Sequence, residues 1–236
     1  MKKTKALAKP KRAGKAKAAP LVKADPKSAL TVFELLLAEF PNPKTELNYE
    51  NPFQLLIAVI LSAQCTDERV NKTTPALFAK YPNAKALGNA EQKDVEKLIH
   101  SCGFYRAKSK AIISTSKDLF EKFGNEVPRT LEELVNLRGV GRKTASVVLN
   151  QAYDLPAIAV DTHVARVSHR LGWTDSEDPV KIEFHLRELF PEKYWATINT
   201  LLILHGRRIC KARHPLCPAC PVKKYCRFYK ELTGQE

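Results

Sequence analysis

Residues 139–144 read GVGRKT, two glycines ahead of an arginine, a lysine and a threonine, the residue types of a phosphate cradle. A Walker loop needs GxxxxGK followed by Ser or Thr at a strand-to-helix turn. Here Lys143 follows Arg142 rather than glycine, and the preceding LEELVNL reads as a short helix. A dinucleotide loop would need a third glycine where Thr144 stands, again after a strand. Both nucleotide readings fail on context. What remains is a helix, a tight Gly-Val-Gly turn and a second helix, LEELVNL-RGVG-RKTASVVLN. Glycine accepts positive φ, so the helices can fold back as a hairpin. The free N–H groups at the start of the second helix favour an anion. An anion held by backbone, without regard to base identity, points to a DNA phosphate. The candidate contacts are Gly139, Val140, Gly141, Arg142 and Thr144.

A second group with chemical potential is Cys210, Cys217, Cys220 and Cys226, spaced C-x6-C-x2-C-x5-C. The remaining cysteines, Cys65 and Cys102, do not extend this to a disulfide framework. Four clustered thiolates suit either zinc or an iron–sulfur cluster, and the spacing, with one CxxC rather than two, leaves both open. The loop between the first two cysteines, KARHPL, presents Lys211 and Arg213 near Arg207 and Arg208. Anchored by thiolates, it would set basic side chains against a phosphate backbone.

These residues sit in a chain of 236 residues with a net charge of +14. Residues 1–27 hold ten of its 39 basic residues and one of its 25 acidic ones. Rich in Lys, Ala and Pro without apolar periodicity, that segment is expected to be a disordered basic tail that adds salt-sensitive attraction to nucleic acid. The Lys-rich start is not followed by an apolar stretch of signal-peptide type, and FQLLIAVILSA at 53–63 is too short to span a bilayer. The expectation is a cytoplasmic protein that does not engage membranes.

The elements that must position the chemistry read as helices. Asn51-Pro52 and Asp178-Pro179 are caps followed by proline, Thr130 to Glu133 has the capping-box spacing, and Asp67 and Asn89 each precede a helical pattern. Apolar residues recur at threes and fours, as in Leu30, Phe33, Leu37 and Phe40, or Val164, Val167 and Leu171. Alternation of strand type is scarce. The prediction is an all-α fold of roughly ten helices. Asp161, in AIAVDTHVARVSHRLGW, opens one of them as an N-cap.

Taken together, LRGVGRKTASVVLN and IAVDTHVARV closely resemble the helix-hairpin-helix DNA glycosylase superfamily. The cysteine spacing narrows the resemblance to its 4Fe–4S branch, the endonuclease III family, over about residues 28–230. The resemblance implies two helical domains with a DNA cleft between them. A six-helix domain with the hairpin would span 44–156, and an iron–sulfur cluster domain would join 28–43 to 157–236. It implies a monomer acting in base excision repair on double-stranded DNA, removing oxidised pyrimidines and cutting the resulting abasic site by β-elimination. Lys143 would be the nucleophile that forms a Schiff base. Its amine must be neutral to attack, which desolvation and the positive end of the second helix favour and Asp161 opposes. Asp161 would stabilise charge developing on the sugar or accept a proton. The four cysteines would hold a 4Fe–4S cluster. Gln64, in LSAQCTD, and Phe104, in SCGFYRAKS, would fill the gap left by the everted nucleotide. Phe104 departs from the leucine common in the family. Asp67 would cap a helix behind the pocket, and His163 would line it.

Overall fold

The computed structural model describes residues 24–234, and the basic segment up to residue 23 lies outside them. The described chain forms twelve α-helices. In order they are α1 (Pro26–Glu39), α2 (Pro52–Ser62), α3 (Asp67–Lys80), α4 (Ala84–Gly88), α5 (Gln92–Ile99), α6 (Tyr105–Lys122), α7 (Leu131–Val135), α8 (Arg142–Tyr153), α9 (Thr162–Leu171), α10 (Pro179–Leu189), α11 (Trp195–Arg208) and α12 (Arg227–Thr233). No strand occurs among the described residues, so the all-α expectation holds. The count exceeds ten because α4 and α7 are five residues long, too short to show a helical period. None of these helices is long and apolar enough to cross a membrane.

Side-chain caps account for where the helices start. Asn51 Oδ1 accepts the Gln54 N–H at 2.9 Å, and Asp178 Oδ1 accepts that of Val180 at 2.8 Å. Thr130 Oγ1 accepts the Glu133 N–H and donates to Glu133 Oε2 at 2.6 Å. Two expected caps are displaced. Thr66 caps α3, which frees the Asp67 carboxylate for other work. Asn89 closes α4 rather than opening α5, whose N-cap is Glu91. Asp25 caps α1, so that helix starts two residues inside the segment expected as tail.

The apolar side chains sort into two cores. The first runs from Leu47 to Ala157 and centres on α2, whose residues Phe53 to Leu61 are all buried. Each leucine or isoleucine so enclosed contributes about 1.5–3 kcal/mol relative to exposure. The second core joins Ala29, Val32, Phe33, Leu36 and Phe40 of the N-terminal segment to side chains between Ile158 and Cys226. The α1 stripe is centred on Val32, Phe33 and Leu36, with Leu30 and Leu37 half-buried at its edge. An extended segment at residues 154–161 crosses from one core to the other.

Candidate functional site

The hairpin forms as the glycines require at one position. Gly139 has φ +79, and a Cβ there would come within 2.8 Å of the Ala111 Cβ, so both conformation and space call for glycine. Gly141 is extended and serves as the N-cap of α8. The turn is held from below, where buried Thr115 donates its hydroxyl to the Arg138 carbonyl. Val140 lies in the core and donates its N–H to the Leu137 carbonyl at 3.1 Å, so neither its side chain nor its N–H faces outward. The N–H groups of Arg142, Lys143 and Thr144 have no acceptor among the described residues and form the open positive end of α8.

Lys143, exposed on the first turn of α8, has no ion-pair partner among the described residues. It lines a pocket of about 510 Å³, counting the solvent at its mouth, together with Asp161. Asp161 caps α9 with one oxygen only, Oδ1 accepting the N–H groups of His163 and Val164, each at 2.8 Å. Its Oδ2 makes no hydrogen bond among the described residues. Capping therefore leaves one carboxylate oxygen unengaged. The pocket wall adds the polar side chains Asp67, Asn150, Gln151 and Asn199 to apolar Leu47, Val59, Val147 and Ile203.

Polar struts fix how the two cores meet around this pocket. Arg142 Nε and Nη2 grip buried Glu183 of α10 at 2.7 and 2.9 Å, and Arg187 reaches the same carboxylate. The Arg142 guanidinium is thus spent on Glu183, contrary to the phosphate contact expected of it. Arg207 of α11 donates to Asp67 Oδ2 at 2.6 Å and to Glu46, while Arg208 reaches Glu46 at 3.2 Å. Burial pushes the Glu46 carboxyl up, but the bonds from Arg208 and Arg207 outweigh it and hold the group below its ordinary value. Arg207 and Asp67 accordingly brace each other at the pocket wall. Gln151 Nε2 donates to Thr200 Oγ1 at 3.2 Å, a third link between the cores. His163 does not line the pocket. It packs under Gly206, where a Cβ would come within 2.9 Å of its own Cβ, and Arg166 donates to its Nδ1 at 3.0 Å. Burial and the neighbouring Arg166 push its pKa down.

Gln64 and Phe104 project from adjacent loops, with a Cβ built on Gly103 falling 3.9 Å from the Gln64 carbonyl oxygen. Both are exposed, Phe104 to 68%, and both hold positive φ, +52 and +57. Non-glycine residues in that region carry strain, which gathers at functional sites. Beneath them buried Lys108 donates to the Leu61 carbonyl at the end of α2 at 2.8 Å, and burial lowers its pKa. Lys211 and Arg213 are exposed on the loop after α11.

Cys210, Cys217, Cys220 and Cys226 line one cavity of about 360 Å³, counting the solvent at its mouth, together with His205 and Arg170. Arg170 Nη1 donates to Cys210 Sγ at 3.3 Å, and His205 Nε2 lies 3.7 Å from Cys220 Sγ. Burial pushes the Cys220 thiol up to about 11 and raises that of Cys226, and the other cysteines add to both shifts. Four thiols on one cavity form an all-sulfur donor set of the kind that binds a metal centre, and the Arg170 guanidinium offsets part of the charge they would carry when ionised. Burial also holds His205 neutral, at about 4.

Several contributors escape a reading of the sequence. Glu183, Glu46 and Lys108 sit at amphipathic or loop positions where a charged residue reads as surface, and their partners are distant in sequence. For Asn199 the one available signal is an amide beside the apolar residues Ile198, Leu201 and Leu202 of α11.

Residues 57–192 match a model of the HhH-GPD superfamily of base excision DNA repair proteins. An endonuclease III from Synechocystis sp. is 48% identical over 199 residues, covering 84% of this chain and 91% of its own length. One from Bacillus subtilis is 47% identical over 191 residues, covering 80% and 86%. Among solved structures, a trapped endonuclease III–DNA covalent intermediate superposes with a TM-score of 0.84 at 42% identity, covering 88% of this chain and 98% of the other.

Proposed function

The chain belongs to the HhH-GPD superfamily of base excision DNA repair proteins, and from that membership we propose that it is a DNA glycosylase and abasic-site lyase acting on oxidised pyrimidines in duplex DNA. The observation that carries this reading is the pocket in which Lys143 of one core meets Asp161 of the other. A nucleophile at an open helix start and a carboxylate with one free oxygen suit displacement at a sugar carbon.

In this reading the duplex lies across the two cores with its phosphates on the N–H groups that open α8, at Arg142 and Thr144. Arg208, Lys211 and Arg213 add charge along the backbone. Gln64 and Phe104 enter the duplex as the damaged nucleotide leaves it, and their left-handed backbone holds them outward before DNA arrives. Lys143 Nζ attacks C1′ and the base departs with the glycosidic electron pair. Asp161 Oδ2 stabilises the positive charge that grows on the sugar and accepts a proton from the amine. The C1′–O4′ bond then breaks, O4′ taking the electron pair and a proton, and the opened sugar is held at C1′ as an iminium; loss of a C2′ proton expels the 3′-phosphate, and hydrolysis frees the enzyme.

Cys210, Cys217, Cys220 and Cys226 would hold a 4Fe–4S cluster, which when bound cross-links the C-terminal loop and offsets the mutual repulsion of its thiolates. The protein would act as a monomer on the nucleoid.

Borohydride trapping tests the reading on duplexes bearing an oxidised thymine, an abasic site, or 8-oxoguanine opposite adenine. The first two should give a covalent complex and the third none. Lys143→Ala should abolish trapping and lower strand cleavage by a factor on the order of 10⁴ or more, with DNA affinity largely kept. Trapping by that variant would identify another nucleophile. Trapping on the third duplex alone would favour an adenine-directed enzyme.

A further inference from the structure

We propose that Asn199 reads the everted base, its amide nitrogen donating to a carbonyl oxygen of the damaged pyrimidine. The proposal rests on the functional reading above and adds a residue to it. Three amide side chains line the pocket, and two of them are spent inside the protein. Asn150 Nδ2 donates to the Ala157 and Ala196 carbonyls at 3.3 and 3.2 Å, and its Oδ1 accepts from Gln151 Nε2 at 2.7 Å. Gln151 Oε1 in turn accepts the Thr45 N–H at 3.1 Å.

Asn199 differs. Its Oδ1 accepts the Ala159 N–H at 2.9 Å. Only the carbonyl end of an amide can meet a backbone donor, so the chemistry fixes the orientation of the group. Nδ2 is then the remaining end, with two hydrogens and no acceptor among the described residues. The side chain is 3% exposed and lines the same pocket as Lys143 and Asp161. Nδ2 is not among the buried atoms left without a partner, so it keeps contact with the open space of the pocket, and a donor held there without a protein acceptor fits a ligand that brings one.

The class of acceptor follows from the surroundings. A neutral donor beside the carboxylates of Asp161 and Asp67 is a poor phosphate site, whereas apolar Val59, Val147 and Ile203 suit a flat, weakly polar ring. A pyrimidine offers a carbonyl at C2, and one also at C4 when it derives from thymine or uracil. As the glycosidic bond breaks, the electron pair left on N1 spreads onto the C2 oxygen, and through an intact C5=C6 bond also onto that at C4. A donor fixed beforehand by Ala159 stabilises that charge without reorganising. The contribution belongs to base release alone, because an abasic site has no base to read.

The test compares two steps in three proteins. Single-turnover rates are measured for base release from an oxidised-thymine duplex and for strand cleavage at a preformed abasic site. Active enzyme is counted by borohydride trapping on the abasic duplex. Asn199→Asp keeps an acceptor for Ala159 and replaces the donor, and Asn199→Ala removes both. Base release should fall about tenfold or more in each variant, with abasic-site cleavage by Asn199→Asp within about threefold of wild type. If Asn199→Ala slows both steps by loosening Ala159, Asn199→Asp decides. Equal loss on both substrates by Asn199→Asp, or unchanged base release, overturns the proposal. A wild-type protein inactive on both substrates would instead refute the glycosylase and lyase reading.

Discussion

The Lys143 pocket and the cysteine cavity are built on opposite plans. The first takes its walls from both cores, with Lys143, Asp67 and Val59 on one side and Asp161, Asn199 and Ile203 on the other. The second takes every wall from one core, between Val167 and Tyr229. The cleft therefore owes its geometry to polar struts between packed bodies, whereas the cavity is closed by a loop anchored near its own ends. A pocket shared by two bodies can open to admit an everted nucleotide. A cavity built within a single body keeps its four thiols together whatever the angle between the cores.

Among the changes that probe this contrast, the largest effect should come from Asp161→Asn. Asparagine caps a helix as well as aspartate does, so stability should move by less than about 1 kcal/mol while base release falls roughly 10²- to 10⁴-fold. Paired thermal melts and single-turnover assays check this, and a stability loss matching the activity loss would show the residue to be a cap alone. Cys220→Ser should lose most bound iron and sulfide and lower the unfolding free energy of the second core by about 4 kcal/mol or more. Hydrogen exchange should find the first core still protected, and its loss would erase the contrast between local cavity and shared cleft.

Glu183→Gln strikes the strut beside Lys143. It weakens charge-assisted bonds to two arginines, costing about 2 kcal/mol, and should slow trapping more than it weakens DNA binding. An unchanged trapping rate would show that the cores hold their angle without it. The smallest effect is expected of Arg213→Ala, which should weaken all duplexes alike and reduce the slope of log affinity against log salt by about 1. A loss confined to damaged DNA would remove Arg213 from the phosphate-contacting set.

The helices and their caps were legible because periodicity and capping are local. Asn51, Thr130 and Asp178 sit where their types and spacing place them. Family membership was legible in GVGRKT, in IAVDTHVARV and in the cysteine spacing. The employment of each charged side chain was not. Arg142 and Arg207 read as phosphate ligands because a basic residue beside a DNA-binding motif has that use by default. Their partners, Glu183 and Asp67, lie 41 and 140 residues away and become neighbours only once the cores dock. His163 failed for a related reason, since its burial depends on Gly206 of α11. Thr66 and Asp67 are both competent to cap α3, and local sequence does not rank them.

The second core is assembled from the two ends of the described chain, and that has a consequence for biosynthesis. The first core is contiguous from Leu47 to Ala157. It can consolidate on the ribosome as soon as that stretch has cleared the exit tunnel. Helix α1 emerges earlier, yet Val32, Phe33 and Leu36 bury against side chains between Ile158 and Cys226, which emerge last. For most of translation the nascent protein therefore carries one folded body with an orphaned apolar helix in front of it. The thiols of the second body emerge after the first core is complete, so the proposed metal centre would be loaded onto a protein whose first body has already folded.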